Sequence, residues 1–243
     1  LFTFLARDEA RHAGFLSRAL VAEGIEVDLP HLGGKRAATW FPISWVIYSV
    51  YLSEKIGYWR YILMDRHLKA NPKEAFAPLF DFFEPWCQDE NRHGDCFTVM
   101  MRCWPGITAG FRGKLLSRFF LWSVFLTHTL TVCERGEFYE LLGISPEEFD
   151  KEVIERTNHT SKNAFPWVFN LEDKRFWELR EQIIRSFRAF VDTKGIKKPL
   201  KLMKFVSLIF RQFSLPMEQT NAIRYDKPVA FTGQDLFNFW TDK

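Results

Sequence analysis

The chain has 243 residues, 47% of them hydrophobic and 26% charged, with a formal charge of +3 and an aromatic set of 26 Phe, 9 Trp and 6 Tyr. This is the balance of a globular domain rather than a disordered chain, and so small a charge, with bases and acids interleaved, argues against nucleic acid as a partner. The four cysteines, Cys87, Cys96, Cys103 and Cys133, show no Cys-x-x-Cys spacing, which argues against a disulfide framework or a sulfur-rich zinc site and fits a reducing compartment.

Taken in order, Leu1 to about Ala22 is expected to be one helix, ended near Gly24. It starts on helical spacing with no capping signal, so more of the bundle is expected upstream of Leu1. A loop through Pro30, Gly33 and Gly34 follows, and Pro42 can open a long second helix that Asn71-Pro72 closes. A third helix is expected over roughly Lys73 to Cys103, with Pro78 or Pro85 as points of disturbance and Pro105-Gly106 as its stop. Phe111 to Leu142 is the fourth, terminated at Gly143. Ser145-Pro146 begins a shorter helix to about Asn158, and two more follow around Glu172 to Val191 and Leu200 to Phe213. No strand alternation stands out, and the segment from 217 to 243 reads as an irregular tail. The expected class is all-α, with bundle helices over 1–110 and further helices of the same domain over 111–216.

No run reaches the roughly 20 uninterrupted apolar residues of a membrane-spanning helix. The nearest, Phe119 to Val132, carries His128, follows Arg118, and reads as a buried helix or one lying in an interface. The basic stretch from Lys194 to Lys201 leads into an apolar segment. It suits either an anionic membrane surface or a solvated helix start.

One short word occurs twice. Asp8-Glu9-Ala10-Arg11-His12 and Asp89-Glu90-Asn91-Arg92-His93 share the pattern D-E-x-R-H, each followed by a small residue, Ala13 or Gly94. On a helix, Glu and His three apart lie on one face, so both can reach one ion. Carboxylate plus imidazole suits iron or manganese better than a structural zinc. Between the copies, Glu54 sits mid-helix among aromatic and aliphatic residues, where a carboxylate is costly to bury unless it has a metal or a partner. It is the natural bridging or terminal ligand. Two Glu-x-x-His pairs plus lone glutamates from other helices form the ferritin-like di-iron pattern. Glu9, His12, Glu54, Glu90 and His93 are then five of six protein ligands, the sixth being expected on a bundle helix ahead of Leu1.

The rest of the word has physical work to do. A ligating imidazole needs its second nitrogen held by a carboxylate, and Asp8 and Asp89 are placed to do this across the bundle, each on the opposite histidine. Arg11 and Arg92 can pair with those acids. His31, His67, His128 and His159 lack a Glu-x-x-His partner and are expected to be structural or exposed. Tyr58, Trp59 and Tyr61, within two turns of Glu54, are either core residues or a route for electrons or a radical.

With these residues laid out, the chain resembles the aerobic magnesium-protoporphyrin IX monomethyl ester oxidative cyclases. The stretches that carry the resemblance are ARDEARHAGFL (6–16), YLSEKIGYWRYI (51–62), WCQDENRHGD (86–95), SRFFLWSVF (117–125) and VIERTNHTS (153–161). It implies an O₂-dependent di-iron enzyme that closes the isocyclic ring of chlorophyll through hydroxy and keto stages, giving divinyl protochlorophyllide. It also implies electrons from NADPH through ferredoxin or another donor, and a small accessory subunit. The implied location is peripheral, on a chloroplast thylakoid or envelope membrane, or on a bacterial photosynthetic membrane. Other di-iron hydroxylases, an iron-storage protein and a non-catalytic subunit of a photosynthetic assembly are the alternatives.

Overall fold

The computed structural model describes residues 2–25, 41–75 and 78–222. Nine α-helices are described: α1 (Phe2–Ala22), α2 (Ile43–Ala70), α3 (Phe83–Cys103), α4 (Pro105–Thr108), α5 (Gly110–Glu134), α6 (Gly136–Leu141), α7 (Pro146–Ser161), α8 (Lys174–Asp192) and α9 (Lys198–Phe213). The expected all-α class holds. The expected 25–41 loop, with His31, lies largely outside the described residues.

The main differences from expectation have local causes. The third helix starts only at Phe83, because Pro72–Glu74 and Pro78–Phe82 are 3₁₀ turns, while Pro85 fits within the first turn of α3. Pro105 opens the one-turn α4 rather than only stopping its predecessor, since a missing N–H costs nothing at a first helical position. The segment expected to run unbroken to Leu142 divides at Arg135, and Gly143 then ends α6 with φ +68°. The tail, expected to be irregular, begins with a strand. Met217–Gln219 (β2) pairs antiparallel with Trp167–Phe169 (β1) in a three-residue ladder, Val168 opposite Glu218.

α2 is the axis of the molecule. Its buried side chains Ile47, Tyr48, Tyr51, Leu52, Lys55 and Ile56 follow the 3–4 spacing of a helix. It packs on α3 most extensively, then on α7 and α5. Below the α2–α3 pair, Leu121, Phe125, Val153, Phe165, Phe169 and Phe176 form the apolar core, each stabilising the fold by roughly 1.5–3 kcal/mol. By length and apolarity α5 is a candidate membrane span. Here it packs against α2, α7 and β1 and carries His128 into a buried polar cluster. α1 is attached differently: along its length only His12 is buried.

Candidate metal centre

Three helices bring the five expected residues together. α1 supplies Glu9 and His12, α2 supplies Glu54, and α3 supplies Glu90 and His93. Their ligating atoms form two groups, Glu9–His12–Glu90 and Glu9–Glu54–His93, each with all atoms within 4.8 Å of one another. Glu9 belongs to both. Its Oε1 lies 3.8 Å from His12 Nδ1 and 3.2 Å from His93 Nδ1. His12 Nδ1 is also 3.4 Å from Glu90 Oε1, and His93 Nδ1 is 3.3 Å from Glu54 Oε2. Each histidine therefore faces the glutamate of the other D-E-x-R-H word, His12 together with its own Glu9 and His93 together with Glu54.

Both imidazoles turn Nδ1 inward and Nε2 outward. His12 Nε2 meets Asp89 Oδ2 at 3.2 Å, and His93 Nε2 meets Asp8 Oδ2 at 3.3 Å. These are the crossed contacts expected for Asp8 and Asp89. Arg11 spans the two aspartates, at 3.0 Å from Asp8 and 2.6 Å from Asp89, while Arg92 reaches Asp89 at 3.4 Å.

The electrostatics fit a site built for a cation. The His12 and His93 imidazoles beside it hold the Glu9 carboxyl down at about 2. Burial, with the nearby Glu54 carboxylate second, holds the Glu90 carboxyl well above the usual range. Burial opposes charge on His93, but Glu54, Glu9 and Asp8 outweigh it and raise the imidazole to about 10. His12 is raised in the same way, burial being overcome by Glu9 and Asp89. His12 Nδ1 is buried and makes no hydrogen bond among the described residues although two carboxylates face it. Three converging carboxylates and two inward imidazole nitrogens are the hard-oxygen and nitrogen donors that suit iron or manganese.

Trp86 and Gly57, which belong to neither D-E-x-R-H word, support the cluster. Trp86 donates from Nε1 to Glu90 Oε1 at 2.6 Å and stacks on His12, with ring centroids 4.7 Å apart and planes 24° apart. Its place one turn before Glu90 puts both on one face, so the spacing held that signal. Tyr61 packs on Trp86 at 5.2 Å. Gly57, one turn after Glu54, leaves room for Glu90: a Cβ there would lie 3.3 Å from Glu90 Oε2. Trp59 instead donates to Thr160 of α7, with Tyr58 against its ring. Of the other histidines, His67 bonds Glu74 and the Leu142 carbonyl, and His128 bonds Asp150, both structural contacts.

A groove of about 560 Å³ opens on the cluster, with Glu9, Glu54 and His93 in its wall. Leu5, Val46, Val50, Phe97, Met100 and Trp104 make the rest of it largely apolar. That size is within the usual range for small-molecule sites, about 300–1,000 Å³.

Known proteins resemble the chain in the same region and beyond it. A family model described as rubrerythrin matches residues 1–101, the span that holds all five residues. A Prochlorococcus marinus protein named magnesium-protoporphyrin IX monomethyl ester [oxidative] cyclase is 74% identical over 224 residues, covering 92% of this chain and 64% of the relative. Cyclases of the same name from Nostoc sp. and Synechocystis sp. are 51% and 48% identical, over 86% and 84% of this chain and 58% and 57% of theirs. The chain thus spans somewhat less than two thirds of the length of these relatives. No solved structure matches it. With a helical bundle whose first 101 residues match the rubrerythrin model and further helices beyond, the chain is a close sequence relative of the magnesium-protoporphyrin IX monomethyl ester oxidative cyclases.

Proposed function

We propose that Glu9, His12, Glu54, Glu90 and His93 hold two irons. We further propose that the protein uses them to convert magnesium-protoporphyrin IX 13-monomethyl ester to divinyl protochlorophyllide. The observation that carries this reading is the pair of overlapping ligand groups sharing Glu9, in a chain three-quarters identical to proteins named for that reaction. When bound, the irons would supply the O₂-activating redox chemistry that oxidation of an unactivated C–H bond requires.

The chain's own residues have separable tasks. Glu9, common to both groups, is assigned as the bridging carboxylate. Glu54, in one group with His93, is assigned as a terminal ligand, and Glu90 completes the His12 group. Asp8 and Asp89 fix each imidazole so that Nδ1 stays aimed at the metal and becomes more basic. Trp86 steadies the Glu90 carboxylate and shields His12 from water. The apolar groove would take the edge of the flat macrocycle and keep water from the wall where Glu9, Glu54 and His93 lie.

Electrons are assigned to NADPH through ferredoxin or a similar donor, with a small accessory subunit as a partner. Tyr58 and Trp59 remain a candidate route for them, and Tyr61 with Trp86 makes closer contact with the cluster. For membrane association, α9 offers the surface. Leu200, Met203 and Phe210 of α9 are exposed, as is Ile196 in the turn before it, Lys197, Lys201, Lys204 and Arg211 follow one position on, and α9 contains no acidic residue. Such a face supports the proposed peripheral position on a photosynthetic membrane, of a thylakoid or its bacterial equivalent. Reversing Lys201 and Lys204 to Glu is expected to release the protein from anionic vesicles, and unchanged binding would remove α9 from this role.

The test of the reaction is direct. The iron-loaded full-length protein, given the magnesium porphyrin ester, O₂, reductant and accessory subunit, should form divinyl protochlorophyllide, followed by its absorbance and mass. Failure to consume the ester under conditions where a named cyclase does so would overturn the assignment.

A further inference from the structure

Lys55 is a lysine with only 1% of its surface exposed, next in sequence to Glu54. Its Nζ lies 2.7 Å from Asp95 Oδ1, 2.8 Å from Asn91 Oδ1 and 3.1 Å from the Asn91 carbonyl. Its stem runs across Gly94, where a Cβ would fall 2.6 Å from Lys55 Cε. Asn91, Gly94 and Asp95 are interleaved with Glu90 and His93 on α3. The lysine therefore fastens α2 to α3 directly beside three of the five proposed ligands. Burying an ion pair is poor value for stability, because desolvation cancels most of the attraction and an apolar pair of similar volume serves as well. A reason other than stability is needed, and the location supplies one.

We propose that Lys55 and Asp95, with Gly94 as the gap that admits the lysine stem, are positioning residues that set the register of α2 against α3 so that the Glu54 carboxylate faces His93. The proposal rests on the metal reading above and sharpens it. Glu54 belongs to only one of the two ligand groups, so the pair governs one metal position and not the other.

The test is titration of the metal-free protein with Co(II), following the visible ligand-field bands, for the native sequence and for the double variant Lys55→Met/Asp95→Leu. The double variant keeps the stem at 55 and the branched shape at 95 and removes both charges together, so helical circular dichroism and cooperative melting should persist. One of two Co(II) affinities is expected to fall 10- to 100-fold with altered bands, the other staying within threefold or so of native. Gly94→Ala, which forces the lysine stem aside while leaving both charges, is expected to weaken the same position, and it decides the matter if the double variant does not fold. Native affinity at both positions, or equal loss at both, would overturn the proposal. If the native protein itself binds no Co(II), the metal reading fails rather than the positioning role.

Discussion

Two of the buried polar clusters among the described residues differ in how their charges close. Around Asp150, His128 Nδ1 lies at 2.6 Å, Thr129 Oγ1 donates at 2.8 Å and Arg180 Nε donates at 2.6 Å, with Arg180 also reaching the Glu147 carbonyl. One buried acid meets one buried base, and the cluster ties α5, α7 and α8 together. Its spare ring nitrogen, His128 Nε2, has no hydrogen-bond partner among the described residues, and the ring lies beside Phe149. The cluster of α1, α2 and α3 is open by contrast. Glu9, Glu54 and Glu90 converge on two imidazole nitrogens, and the arginine nearest them, Arg11, is spent on the outer aspartates. A polar cluster whose charges cancel is a structural staple, while a surplus of carboxylates around inward imidazoles asks for a cation.

The contrast can be broken by substitution. Glu9→Ala is expected to have the largest effect, loss of both irons, because Glu9 alone belongs to both groups; Glu54→Ala or His93→Ala should empty chiefly their own position and abolish ring formation. Iron per chain by elemental analysis reads these outcomes. Asp150→Ala should do the reverse. It leaves Arg180 buried without its main acid and is expected to cost about 3–5 kcal/mol in denaturant unfolding, with metal content unchanged.

A subtler change sharpens the same distinction. Asp89→Asn keeps the shape beside His12 but weakens the hold on Nε2, and metal affinity should fall about 10- to 100-fold with little change in melting. Proton linkage is the smallest expected effect. In the metal-free chain Glu90 and His93 hold protons that a metal must displace, so affinity should rise with pH, with proton release seen by calorimetry in buffers of different ionisation heat. The sign for folding follows from the same shifts. His93, raised from 6.5 to about 10, contributes stability that is full below about pH 6.5 and is lost as pH rises towards 10. Glu90 works in the same direction, whereas Glu9, lowered from 4.5 to about 2, contributes above about pH 4.5 and loses that contribution towards 2.

Much of this was legible in the residues. The repeated word gives Glu9, His12, Glu90 and His93 with the crossed aspartates, because helical geometry turns a three-residue spacing into a shared face. The helices are legible where Gly24, Asn71, Gly143 and Pro146 punctuate them. What stayed hidden depends on contacts distant in sequence. Nothing local tells that Lys55 is buried on Asp95, that Gly57 faces Glu90, or that Trp86 rather than Trp59 covers a histidine. The β1–β2 ladder is equally non-local: a three-residue strand carries no period of its own and forms only where Phe169 and Met217 are brought side by side.

In the proposed site two metal ions share Glu9. Anomalous scattering at the iron edge from crystals of the iron-loaded protein tests it most directly. Two peaks are expected, one among Glu9, His12 and Glu90 and the other among Glu9, Glu54 and His93. A single peak, or iron bound elsewhere with this cluster empty, would contradict it.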